Sequence, residues 1–127
     1  MRNPARFFSA AASAIVIVGS LSAFSTPVLA QEQPKQLTPV EEGKKIAFDR
    51  RKGNCLACHA IAGGDLAGNI APPLVAMQAR FPDKAKLRAQ IYDARTTNSH
   101  TAMPPYGAYK ILTESELDKV VEYIYTL

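Results

Sequence analysis

Apolar positions recur at helical spacing in several stretches of the chain and run almost unbroken in one. At the C-terminal end, Leu117, Val120, Val121 and Ile124 follow the i, i+3, i+4, i+7 rule, which predicts one buried face on a helix over residues 113–127. Thr113 and Glu116 form a capping box at its start, and Leu112 and Leu117 are spaced as a hydrophobic staple. Thr38 and Glu41 repeat the capping box near the other end, with Pro39 at the first helical position, where its missing N–H costs nothing. That helix presents Val40, Gly43, Ile46 and Ala47 together, and it offers the surface against which the terminal helix is expected to pack. Gly43 is a poor helix former, so it is either tolerated or marks a close crossing where a side chain would collide.

Between these ends the pattern is weaker. Arg50, Arg51 and Lys52 precede Gly53, which suits the end of the first helix, since cations favour a helix C-terminus and glycine the position after it. The same charges could dock an acidic partner, although a solvated face is the plainer reading. Ala60 to Asn69 carries Gly63, Gly64 and Gly68 and predicts a loop. A short helical pattern from Pro73 to Phe81 brings Leu74, Met77 and Phe81 together. Asp83 or Pro82 then opens a helix bearing Leu87, Ile91 and Ala94, and Thr96 to Thr101 is polar loop. Tyr123 and Tyr125 are expected to be partly exposed or at a pocket edge, with no chemistry of their own.

The unbroken apolar run is Phe7 to Phe24, preceded by Arg2 and Arg6 and closing on Val28-Leu29-Ala30, the form of a secretory signal with a small-residue cleavage site. A retained membrane anchor competes, but Ser and Ala dilute the run, Gly19 interrupts it and Pro27 precedes the cut. Residues 1–30 are therefore expected to be a cleaved leader. Gln31 to Leu37 is a polar arm, and residues 38–127 form one domain. The chain has 15 basic and 11 acidic residues; without Arg2 and Arg6 the balance falls to 13 against 11. That near-neutrality, with no basic and aromatic platform, argues against nucleic acid. The 97 residues after Ala30 are few for a self-sufficient core, so a buried prosthetic group would add missing apolar bulk.

Such a group is indicated by Cys55-Leu56-Ala57-Cys58-His59. C-x-x-C-H is the sequence form of covalent c-type haem attachment. Residues three apart share a helical face, so both thiols can reach the two vinyl groups along one porphyrin edge, and His59 follows at once to bind iron from the same side. A thioredoxin-like pair would need a βαβ pattern, which is missing. A zinc site usually needs four ligands, and the chain holds two Cys and two His. A Cys55–Cys58 disulfide would give no reason for His59. Both cysteines are consumed by the motif. Export fits it as well, because this maturation occurs outside the bacterial cytoplasmic membrane, in the periplasm.

Two further stretches read as the surroundings of that haem. Ala71-Pro72-Pro73-Leu74 is a rigid segment from which Pro72 can offer its carbonyl to the second nitrogen of His59 while Leu74 packs on the porphyrin; a plain turn is the alternative. Met103-Pro104-Pro105-Tyr106-Gly107 holds Met103 extended, and its thioether is the favoured sixth iron ligand. Met77 lies on an apolar stripe, where methionine is more often core. His100, in a polar loop, is the third candidate.

This order of motifs resembles a class I cytochrome c, an all-α fold in which the N- and C-terminal helices cross around one covalent haem c. The resemblance implies His59 as proximal ligand, Met103 as distal ligand and Pro72 as the histidine's acceptor. Residues 49–59, 68–74 and 101–107 further resemble the SoxX family, departing at Ala71, where glycine is expected, and at Tyr106, where phenylalanine is usual. SoxX is the monohaem subunit of the SoxAX cytochrome of periplasmic thiosulfate oxidation. It implies a SoxA haem partner at which thiosulfate is oxidatively conjugated to a cysteine of the SoxYZ carrier, with electrons leaving through this chain to a downstream cytochrome c. This chain would be the electron-transfer subunit, with no catalytic residue of its own. A free periplasmic class I carrier is the alternative.

Overall fold

Thr38 opens the first helix in the way its capping box predicts. In the computed structural model, which describes residues 35–127, Thr38 Oγ1 accepts the Glu41 N–H at 3.2 Å, and the Glu41 carboxylate accepts the Thr38 N–H at 2.7 Å. The expected leader at residues 1–30 lies outside the described residues. Helix α1 spans Pro39–Phe48. It ends earlier than the basic run suggests: Asp49 is the cap, and Arg50 to Gly53 form a turn. The Gly53 N–H folds back onto the Ile46 carbonyl at 3.1 Å, so the chain itself satisfies the helix end. A Cβ on Gly53 would lie 2.7 Å from that carbonyl oxygen, which excludes any larger residue.

The segment after the motif is laced back to it by backbone bonds. The N–H groups of Gly68, Ala71 and Leu74 donate to the carbonyls of Leu56, Cys58 and Ala60 at 2.7, 3.0 and 2.9 Å. Those bonds draw Pro73 to Ala76 away from a helical ladder, and Ala76 is left-handed at φ 50°. The helix predicted from Pro73 is therefore only one turn, α2, Met77–Arg80. Its first N–H donates to the Leu127 carbonyl at 2.7 Å. Helix α3, Lys84–Tyr92, starts where Asp83 accepts the Ala85 N–H at 2.9 Å. Ala94, expected on its face, lies beyond its end in a 3-10 turn, Ala94–Thr96, because extended Asp93 turns its carboxylate to the Arg95 N–H and starts a new turn. Ala94 is nevertheless fully buried.

Helix α4, Glu114–Tyr125, carries the second capping box and buries Leu117, Val120, Val121 and Ile124. It crosses α1 at Gly43, where a Cβ would collide with the Lys119 carbonyl, so the two backbones touch there. Tyr123 corrects its expectation. It is buried, because the gap over Gly43 admits it and its ring meets Phe48 edge-on at 6.0 Å. Tyr125 is half-buried and donates to the Pro82 carbonyl at 3.3 Å. Leu87 and Ile91 of α3 complete the core from the other side of α4. Among the described residues there is no strand, and no helix is long and apolar enough to cross a membrane.

Candidate functional site

The C-x-x-C-H residues wind into a tight turn. Asn54, left-handed at φ 46° as asparagine tolerates, directs the chain into a 3-10 turn at Cys55–Ala57. The N–H groups of Cys58 and His59 both donate to the Cys55 carbonyl, at 3.3 and 2.9 Å. Both thiols and the imidazole therefore sit on one turn, and all three border a single cavity of about 450 Å³.

That cavity has the size and mainly apolar lining of a cofactor pocket. Pro72, Leu74 and Met103 border it as well, so every site residue read from the sequence meets in one place. His59 Nδ1 lies 2.6 Å from the Pro72 carbonyl oxygen. A carbonyl only accepts, so Nδ1 carries the hydrogen and Nε2 keeps its lone pair free for a metal. The prolyl segment is steadied by Arg80, whose guanidinium donates to the Pro73 carbonyl at 2.9 Å.

The three sulfur or imidazole candidates differ in surroundings. Met77 also touches the cavity, but it is 2 % exposed within the core, and Arg80 donates to its sulfur at 3.4 Å. His100 borders the cavity from an exposed loop, its N–H bonded to Asn98 Oδ1 at 3.0 Å. Met103 is half-buried, and its N–H donates to Thr101 Oγ1 at 3.1 Å.

Burial, chiefly, with a smaller contribution from Cys58, pushes the Cys55 thiol up to about 11, so the side chain is uncharged at neutral pH and suits an apolar wall. Cys55 and Cys58 are not paired with each other in a disulfide, and a donor set of two cysteine sulfurs, one imidazole and a thioether fits a covalently held haem. Among the wall residues that the sequence does not mark as part of the site, Tyr106 stands out for its hydroxyl. Tyr106 is buried, borders the cavity and donates its hydroxyl to the Gly53 carbonyl at 2.5 Å. The clue was its place three residues after Met103; its partner, 53 residues away, leaves no local trace.

Residues 40–127 match the family model of cytochrome c. The chain belongs to the cytochrome c family. It thus carries covalent haem c, for which Cys55 and Cys58 have the family's spacing, and its role is electron transfer. The fold is the all-α class I cytochrome c fold. Among solved structures, a chain in the crystal structure of SoxXA from P. pantotrophus is similar at 29% identity and a TM-score of 0.62, over 68% of this cytochrome and 80% of that chain. No curated protein sequence matches the cytochrome.

Proposed function

We propose that this cytochrome is a SoxX-type electron-transfer subunit, paired with a SoxA haem subunit in a periplasmic SoxAX complex that conjugates thiosulfate to a cysteine of the SoxYZ carrier. The observation that carries this reading is the likeness to a SoxXA chain, at 29% identity across most of both chains. Residues 1–30 are the export leader, 31–37 an arm and 38–127 the haem domain.

Bound haem c supplies a one-electron ferric and ferrous couple. Cys55 and Cys58 would anchor it by thioether bonds. His59 would bind the iron through Nε2, its ring held by the Pro72 carbonyl, which raises the donor strength of that nitrogen. Met103 would supply the second protein ligand, a soft neutral donor that favours the ferrous state and suits electron transfer. Leu74 would line the haem pocket. With His59 and Met103 both given to the iron and both cysteines to the haem, this chain would keep no group for sulfur chemistry, which would belong to the partner. Electrons pass on to a downstream cytochrome c.

The loop from Ala60 to Ala76 supports a lasting interface. It borders the cavity, yet Leu66, Ile70 and Val75 stand 89%, 76% and 53% exposed. Ile70 lines the cavity itself, and exposed apolar residues on a loop that borders a redox site are suited to burial by a protein partner. Gentle purification from the periplasm of thiosulfate-grown source cells, followed by mass spectrometry, tests the reading. A stoichiometric haem-bearing partner with a cysteine beyond its attachment motif is expected; a lone monomer would return the chain to the role of free carrier.

A further inference from the structure

We infer that the Tyr106 hydroxyl is a positioning group that braces the Met103 loop against the haem-attachment turn and so controls how readily the sixth ligand lets go. The inference rests on Met103 being that ligand.

Tyr106 sits where the two halves of the site approach one another. Its hydroxyl donates to the carbonyl of Gly53, two residues before Cys55, and among the described residues no other group donates to that carbonyl. Gly53 is itself held against α1, since its N–H is bonded to the Ile46 carbonyl at the end of that helix and a Cβ would find no room there. The anchor for the brace is therefore the rigid turn that carries both haem-attaching cysteines.

At the other end, Tyr106 is linked to Met103 through Pro104 and Pro105 alone. Two prolines in succession fix both φ angles and remove two N–H groups, so this link behaves as a short strut that transmits displacement. The strut's far end is tied down on every side. The Tyr106 carbonyl accepts the Leu112 N–H at 3.1 Å, and the Gly107 N–H donates to the Tyr92 carbonyl at 3.0 Å at the end of α3. Gly107 also leaves no room for a side chain, because a Cβ there would run into the Tyr92 ring. Backbone bonds thus hold the strut to α3 and to the segment before α4, and among the described residues the hydroxyl makes its one hydrogen bond to the haem-attachment turn. Among those residues Met103 itself makes one hydrogen bond, to Thr101 in its own loop. Its constraint comes through the strut.

Removing the hydroxyl while keeping the ring separates bracing from packing. Phenylalanine is the residue expected here from the family resemblance, so Tyr106→Phe is compatible with the fold. In ferric holoprotein, cyanide binding waits on release of the sixth ligand. Tyr106→Phe is expected to speed it by about three- to tenfold, the factor that one net hydrogen bond represents. The sulfur-to-iron charge-transfer absorption should also fade at the same accelerated rate as cyanide replaces the thioether.

Leu117→Val serves as the comparison, because Leu117 is fully buried on α4 and does not border the cavity. It should lower the melting temperature while leaving cyanide binding and the absorption at parental values. Equal acceleration in the two variants, or no acceleration in Tyr106→Phe, overturns the brace. Met103→Ala keeps the two readings apart. Loss of its charge-transfer absorption upholds the ligand assignment on which the brace depends, whereas an unchanged spectrum overturns that assignment and the brace with it. A parental Tyr106→Phe beside an altered Met103→Ala overturns the brace alone.

Discussion

A carbonyl oxygen can only accept a hydrogen bond, and that one-way rule sets the tautomer of His59. With the Pro72 oxygen 2.6 Å from Nδ1, the proton resides there and Nε2 is the free donor. The proposed ligand on the other side is a single thioether with one backbone tie to its own loop. Met103→Ala should therefore leave haem covalently attached while lowering the reduction potential by on the order of 0.1 V, within the roughly 0.8 V that axial ligands command. A redox titration beside an absorption spectrum checks it, and an unchanged potential would move the ligand to Met77 or His100. His59→Ala removes the proposed proximal donor instead, and stable holoprotein should fail to accumulate. At this scale the sequence was informative because attachment chemistry demands neighbouring residues. It placed Tyr106 near Met103 but not on its partner Gly53, which is remote in the chain.

At the scale of elements, α1 and α4 are held by features visible in short windows: two capping boxes, two apolar faces and one glycine. For Gly43 two effects oppose. Alanine would gain about 1 kcal/mol of helix propensity. Its Cβ would also drive into the Lys119 carbonyl, an overpacking cost of typically 1–3 kcal/mol that rigid backbone cannot relieve. Sterics should win, and Gly43→Ala should melt several degrees below the parent in a calorimetric scan, with Gly43→Val lower again.

The cap of α4 also carries a pH dependence. The Glu116 carboxyl is held below its ordinary value of 4.5 first by the Lys52 ammonium and then by the Thr113 N–H. A carboxyl lowered in the folded state binds its proton more weakly there than in the unfolded chain. Its stabilisation is complete above pH 4.5 and is lost as pH falls through the lower folded value. Glu116→Gln should thus be less stable than the parent at pH 7 by about 0.5–1 kcal/mol, as for a partly exposed pair. The gap should close as pH falls below 4.5 and through the lowered folded value, as denaturant melts at pH 7 and in acid would reveal; a constant gap would remove the carboxylate from the account. Less of α2 and α3 could be read in advance. The predicted helix from Pro73 yields to backbone bonds with the attachment motif, and Ala94 leaves α3 because Asp93 turns the chain.

For the whole molecule, the question is what covers the loop at the cavity rim. Leu66 and Ile70 are largely exposed, so Leu66→Asp and Ile70→Asp remove little packing, and their melting temperatures should match the parent. If this rim is the SoxA interface, each should weaken the heterodimer by about tenfold or more in a binding titration. Unchanged affinity would place the interface elsewhere. The charge run at Arg50, Arg51 and Lys52 is partly committed within the chain, Lys52 to Glu116 and Arg51 to Asp49, which favours the reading of it as a solvated turn.

By itself the sequence determined the covalent haem site, the helix starts at Thr38 and Thr113, and the faces that α1 and α4 turn inward. Each rests on residues within about one or two turns of one another, where spacing alone dictates geometry. Tertiary structure decided the rest: the early end of α1, the burial of Tyr123 over Gly43, the single turn of α2 and the Tyr106 hydroxyl on Gly53. Those outcomes depend on surfaces and carbonyls brought together from distant parts of the chain. A bond spanning 53 residues forms only once the helices have crossed.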